Sequence, residues 1–150
     1  MLVENVKVKG MVTFELKDEH GNVKQTEQAN MIVTTGLSHF TSRLIGVVQD
    51  IMSHMAVGTG GTAAATGQTA LITEAARVAL ASLTQVTTTV TSDAVQAVAT
   101  FPAGTGTGAL VEAGIFNAAS AGVMEARTVF AVINKGALDS LTITWKITFA

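Results

Sequence analysis

Near the C-terminal end, "LTITWKITF" alternates without a break. Leu141, Ile143, Trp145, Ile147 and Phe149 form one row, and Thr142, Thr144, Lys146 and Thr148 form the other. A strand places successive side chains on opposite faces, so this is a strand with one apolar and one polar face. The N-terminal segment follows the same period, with Val6 and Val8 and then Val12, Phe14 and Leu16 at every second position. The Gly10–Met11 step reads as a change of phase and predicts a bulge or bend in one long strand. "DEHGN", Asp18 to Asn22, is turn chemistry, with Gly21 and Asn22 suited to positive φ, and "VKQTEQANMIV" is the return strand of a hairpin.

The period changes over "TTGLSHFTSRLIGVV", residues 34 to 48. Leu37, Phe40, Leu44, Ile45 and Val48 fall on one face at helical spacing, and Thr34, Thr35 or Ser38 is the expected N-cap. No other segment reads as a helix. From "MSHMAVG" onward the chain is again β-like. "RVALASLTQVTTTVT" and "AVQAVATF", rich in Val and Thr and separated by the turn "SDA", read as a second hairpin. "PAGTGTGA" is a loop, "LVEAGIFN" a strand, and "AASAG" a turn into the strand "VMEARTVFAVI". Short strands, glycine turns and one helix near residues 35–48 predict a mainly β fold, an antiparallel β-sandwich that is jelly-roll-like in the looser sense. No long-period repeat and no linker composition divides residues 1–150, so a single domain is expected. Residues 1–9 alternate well and begin at the chain end. They are either an arm that adds a strand to a neighbour or an edge strand of their own sheet.

Composition adds a reason to expect assembly. Charged residues make up 13% of the chain and hydrophobic ones 48%, whereas soluble domains carry about 25% charge. Too little charge is present to coat a monomer, and Thr, Ala and Gly supply the remaining surface. A neutral, small-residue surface of this kind is expected where copies of the same chain or another protein cover it. No apolar run reaches the roughly 20 residues of a membrane-spanning helix. The net charge of −2 gives no electrostatic reason for nucleic-acid binding. Cysteine is absent, which excludes disulfides and thiolate zinc sites. The opening "MLVENVKVKG" lacks the apolar core and cleavage site of a secretory signal.

The candidate chemistry concentrates in "HMAVGTGGTAAATGQTALITEAAR", His54 to Arg77. A phosphate-binding P-loop ends in Gly-Lys-Ser/Thr, but no lysine lies between Lys24 and Lys135. Gly58, Gly60 and Ala63 match the loose dinucleotide pattern, yet that pattern requires a helix to begin there and "AATGQTAL" is a second turn. Gly58, Gly60, Gly61 and Gly67 therefore read as a flexible crossover and a candidate contact loop. His20, His39 and His54 lack the short spacings of metal ligands and read as surface or interface histidines. No nucleophile elbow, zincin motif or cysteine nucleophile occurs, so no catalytic residue, metal or cofactor is expected. Glu74, Arg77, Glu112, Glu125 and Arg127 stand singly in apolar or small-residue surroundings. A glycosidase reading of Glu74 with Glu112 is weak because tyrosine is absent and aromatics are scarce. Internal ion pairs explain these residues better, since an unpaired buried charge is expensive. The expected partners are Glu112 with Arg77 or Arg127.

The ordered series "DEHGNVKQ", "ANMIVTTGL", "MSHMAVGTGGTAAATGQTAL", "TEAARVAL", "ATFPAGTGTGALVEAGIFNAASAGVMEARTVF" and "INKGALDSLTITWKITF" resembles a family of small tailed-bacteriophage virion proteins. These are described as structural, tail-fibre-like or decoration proteins, and the resemblance runs from about Gly21 to Ala150. It implies a non-enzymatic virion component. In the preferred form this is a capsid decoration (cement) protein on the capsid surface, a homotrimer that binds over joints between major capsid protein subunits. The alternative is a tail, neck or fibre-adaptor subunit partnered by tail or neck proteins. A carbohydrate-binding module for host adhesion is a third reading. Loops 57–70 and 102–109, with the N-terminal segment, are the expected contact regions.

Overall fold

The computed structural model describes residues 5–149. Strand β1 (Val8–Lys17) turns into β2 (Val23–Ala29), and the two-residue β3 (Met31–Ile32) leads into helix α1 (Thr34–Leu44). Then come β4 (His54–Gly58), β5 (Glu74–Ala79), β6 (Ser82–Val86), β7 (Ala94–Phe101), β8 (Gly108–Phe116), β9 (Met124–Lys135) and β10 (Ser140–Phe149). They build two five-stranded sheets, ordered β2-β1-β10-β7-β6 and β3-β9-β8-β4-β5, and every pairing is antiparallel. The fold is a mainly β, antiparallel β-sandwich with one helix, as the strand patterns predict.

The core lies between the sheets. Val12, Phe14, Leu141, Ile143 and Trp145 face Met55, Val57, Leu110, Ala113, Ile115 and Phe130 across it. Phe14 and Phe130 meet with ring centroids 4.2 Å apart. Each large side chain removed from water here contributes about 1.5–3 kcal/mol, so the alternating rows of β1 and β10 specify which face turns inward.

Several local expectations change. Register between β1 and β10 is continuous from Val8↔Phe149 to Lys17↔Ser140, so no bulge occurs at Gly10–Met11. Gly10 is itself an inward position, and the space a side chain would take is filled by Asn30, whose Oδ1 accepts a hydrogen bond from Trp145 Nε1 at 3.1 Å. Residues 1–4 of the expected arm lie outside the described residues. Val8 and Lys9 pair with β10 of their own sheet. The run from Arg77 to Thr91 is not one hairpin strand. Its first part belongs to β5 beside β4, and its second part is β6 beside β7 in the other sheet. The chain changes sheets at Leu80–Ala81, where Leu80 N–H binds Ser53 O and Ala81 N–H binds Val98 O.

The helix is shorter than expected and turned over. Val33 is its N-cap and makes no side-chain cap bond, while Thr35 Oγ1 donates to Met124 O at 2.7 Å. Gly46 at φ +70° follows the C-cap Ile45 and stops it. The buried residues of α1 are Gly36, His39 and Ser42, whereas Leu37 is 48% and Leu44 86% exposed. The cause is a close approach: a Cβ on Gly36 would come within 2.8 Å of Glu125 Cα. The helix seats on β9 through its smallest residue. Of the expected apolar face, Phe40 packs against the core, edge-on to Phe149 with centroids 5.3 Å apart.

Candidate functional site

On β8, Ala113 and Ile115 belong to the core, so alternation sends Glu112 to the outward face of the sheet. Arg127 on β9 pairs with Gly114 and points the same way. The segment 59–73 crosses above them and excludes water from both. Arg127 donates to Glu112 Oε2 from Nη2 at 2.8 Å and Nε at 3.1 Å, and from Nη1 to Gln68 Oε1 at 2.9 Å. The backbone N–H groups of Gly60, Ile72 and Thr73 donate to the Glu112 carboxylate at 2.9, 2.9 and 2.7 Å. Burial alone would push the Glu112 carboxyl up. The bonds from Thr73, Ile72, Arg127 and Gly60 together outweigh it and hold the group below the usual carboxylate range.

The glycine-rich segment is thus an anion cradle of backbone N–H groups whose anion is the chain's own carboxylate. Gly58 and Gly60 are required by proximity, since a Cβ on either would lie 2.6 Å from Glu112 Oε1. Gly61 and Gly67 have open space around them. Thus, of the four candidate contact glycines, two serve the internal clamp and two remain on the outside of the loop.

Arg77 binds Glu74, not Glu112. Its Nε and Nη2 reach the Glu74 carboxylate at 2.9 and 2.7 Å, its guanidinium lies 3.7 Å over the Phe116 ring, and Nη1 ties down Ala118 O and Ala121 O. This pair anchors the turn between β8 and β9 to sheet edge β5. The two ion pairs Glu112–Arg127 and Glu74–Arg77 therefore lie in the same two rows of the outward surface, separated by β4, and share no atoms.

A second buried carboxylate faces the other way. Ile115 opposes Ala126 and Phe116 opposes Met124, so Glu125 is the extra residue of a bulge on β9. The bulge turns its side chain into the sandwich. There Glu125 Oε2 lies 3.6 Å from His39 Nδ1, both groups are buried, and neither atom has a hydrogen-bond partner within the protein. Burial raises the Glu125 carboxyl to about 8. His39 is thus an interior residue and not the surface or interface histidine its sequence context implies. His20 is exposed in the first turn, and His54 contacts Ser53 Oγ at 2.8 Å. His39 and Glu125 line an apolar cavity of about 150 Å³ between the sheets, beneath α1.

Sequence reasoning also passes over Lys135, which is buried and donates from Nζ to Pro102 O at 2.9 Å. Its burial lowers its pKa, with Asp139 opposing. No pattern in "INKGA" distinguishes this lysine from a solvated one. Among the described residues, no group of three or more His, Cys, Asp or Glu is arranged to hold a metal ion, and no helix is long and apolar enough to cross a membrane. Outside, six of the exposed large apolar residues belong to α1 and its exit: Leu37, Leu44, Ile45, Val47, Val48 and Ile51. No family model, curated protein or solved structure matches the chain.

Proposed function

We propose that this protein is a non-enzymatic structural component of a bacteriophage virion, in the form of a capsid decoration protein. It binds as a homotrimer over joints between major capsid protein subunits and stabilises the shell. The observation that carries the reading is the run of exposed apolar residues from Leu37 to Ile51, in which Leu44 is 86% and Val48 94% exposed. A monomer has no use for such a surface, and a 13% charged fraction offers little to keep it apart from neighbours. The internal pairing of Glu112 with Arg127 supports a structural role, because this fully buried charge pair is spent on holding a loop.

Immunogold electron microscopy of intact virions tests the reading. Label spread over the head in many copies is the expected result. Label confined to the neck or tail moves the protein to the fibre-adaptor reading, and particles without label overturn the virion assignment.

A further inference from the structure

The cavity beneath α1 has features that a structural subunit does not require. Its walls include Phe40, Met52, Ile115 and Trp145, and Ile51 and Val95, 54% and 36% exposed, stand at its mouth. Its volume of about 150 Å³ matches the roughly 150 Å³ apolar cavity known to admit benzene. A cavity lined only by such residues would select nothing beyond size.

Two polar atoms break the apolar lining, and they are not satisfied by one another. His39 Nε2 lies 3.0 Å from Asp50 O. A carbonyl oxygen only accepts, so Nε2 carries the proton, and in the neutral ring Nδ1 is left as an acceptor. Burial pushes the Glu125 carboxyl up to about 8, so the group carries a proton at neutral pH, and Oε2 is its oxygen without a partner and is free to donate it. The two atoms are 3.6 Å apart, beyond the range of an effective hydrogen bond. A third oxygen entering from the cavity, with a small rotation of either side chain to admit it, can close the gap by accepting from Glu125 and donating to His39. A hydroxyl group does both at once, without bringing a charge into the apolar interior.

We propose that this cavity is a binding site for a small apolar molecule carrying one hydroxyl group, an alcohol or phenol, whose oxygen bridges Glu125 and His39 while its hydrocarbon part fills the space against Trp145 and Phe40. The site is independent of where the protein sits in a particle, so failure of the virion assignment leaves it standing.

The test compares p-cresol with toluene, which has the same ring and methyl group but no hydroxyl, by isothermal titration and ligand-observed NMR on the full chain. The expected result is p-cresol binding at least tenfold more tightly than toluene. Val95→Phe narrows the mouth at a partly exposed position and is expected to abolish binding of both. Glu125→Leu keeps the volume but removes the donor, and the preference for the hydroxyl is expected to fall below threefold. Equal binding of the two probes to the unmodified protein overturns the proposal. So does no binding of p-cresol at millimolar concentration, or unchanged binding in Val95→Phe. The comparison of the two probes and the Val95→Phe result stand even if Glu125→Leu does not fold.

Discussion

Glu112 on β8 and Glu125 on β9 are both buried, and each faces a basic side chain, yet burial leaves their carboxyls on opposite sides of the ordinary range. Glu112 receives three backbone N–H groups and a two-pronged guanidinium. Glu125 has an imidazole at 3.6 Å and no hydrogen-bond partner on Oε2. Both side chains are shut off from solvent, but Glu125 is the more deeply desolvated and has no donor to offset it, whereas the donors around Glu112 outweigh its desolvation. A saturated buried carboxylate becomes a structural clamp, whereas an unsaturated one retains the capacity to bind.

The largest expected effect breaks the clamp. Glu112→Ala leaves Arg127 buried without a counter-charge and should cost about 3–5 kcal/mol in urea unfolding. A loss below about 1 kcal/mol would show that segment 59–73 is held by its apolar contacts alone. Replacing Glu112 and Arg127 together by Leu and Met should cost less than Glu112→Ala by itself, because no orphaned charge remains.

Next comes the pH dependence, where the two carboxylates carry opposite signs. The folded Glu125 carboxyl sits near 8, above its ordinary 4.5. Its contribution is therefore complete below pH 4.5 and is lost as pH rises from there through 8, by at most about 5 kcal/mol at 1.36 kcal/mol per unit. Glu112, held below its ordinary value, contributes above pH 4.5 and loses that contribution as pH falls. Denaturant midpoints across pH 4–9 should lose their decline between pH 4.5 and 8 in Glu125→Gln. A Glu125→Gln curve that parallels the unmodified protein would remove Glu125 as the titrating group.

A smaller effect separates the glycines. Gly60→Ala drives a methyl group against Ile72 and Glu112 and should cost about 2 kcal/mol. Gly67→Ala meets nothing within 4 Å and should stay within about 0.5 kcal/mol. The smallest effect on stability is expected outside the site. Leu44→Lys with Val48→Lys should leave unfolding unchanged within about 0.5 kcal/mol while reducing the mass measured by light scattering. An unchanged mass would separate self-association from this apolar surface.

Much of this arrangement can be read from local pattern. The rows of β1 and β10 are set by alternation, and the first turn by Asp18, whose carboxylate accepts from the N–H groups of His20 and Asn22. The pairing of Glu112 with an arginine follows from the cost of burying a lone charge, although that argument leaves Arg77 and Arg127 equivalent. Register chooses between them, since Arg127 opposes Gly114 on the neighbouring strand. The helix departs from its local pattern. Its apolar spacing predicts a buried face of Leu37 and Leu44, but contact energy depends on how closely two backbones approach, and Gly36 permits the closer seat.

Strand faces, turn positions, the absence of thiol chemistry and the need for internal charge pairing were all determined by the sequence itself, because each depends on residues that are neighbours along the chain. Only the tertiary structure decided which arginine meets Glu112, which face of the helix is covered, and that Glu125 turns inward beside His39. His39 and Glu125 stand 86 residues apart, and one extra residue in β9 reverses the side to which a side chain points. Long-range packing and a local break in register leave no trace in periodicity, and here both of them shape the cavity.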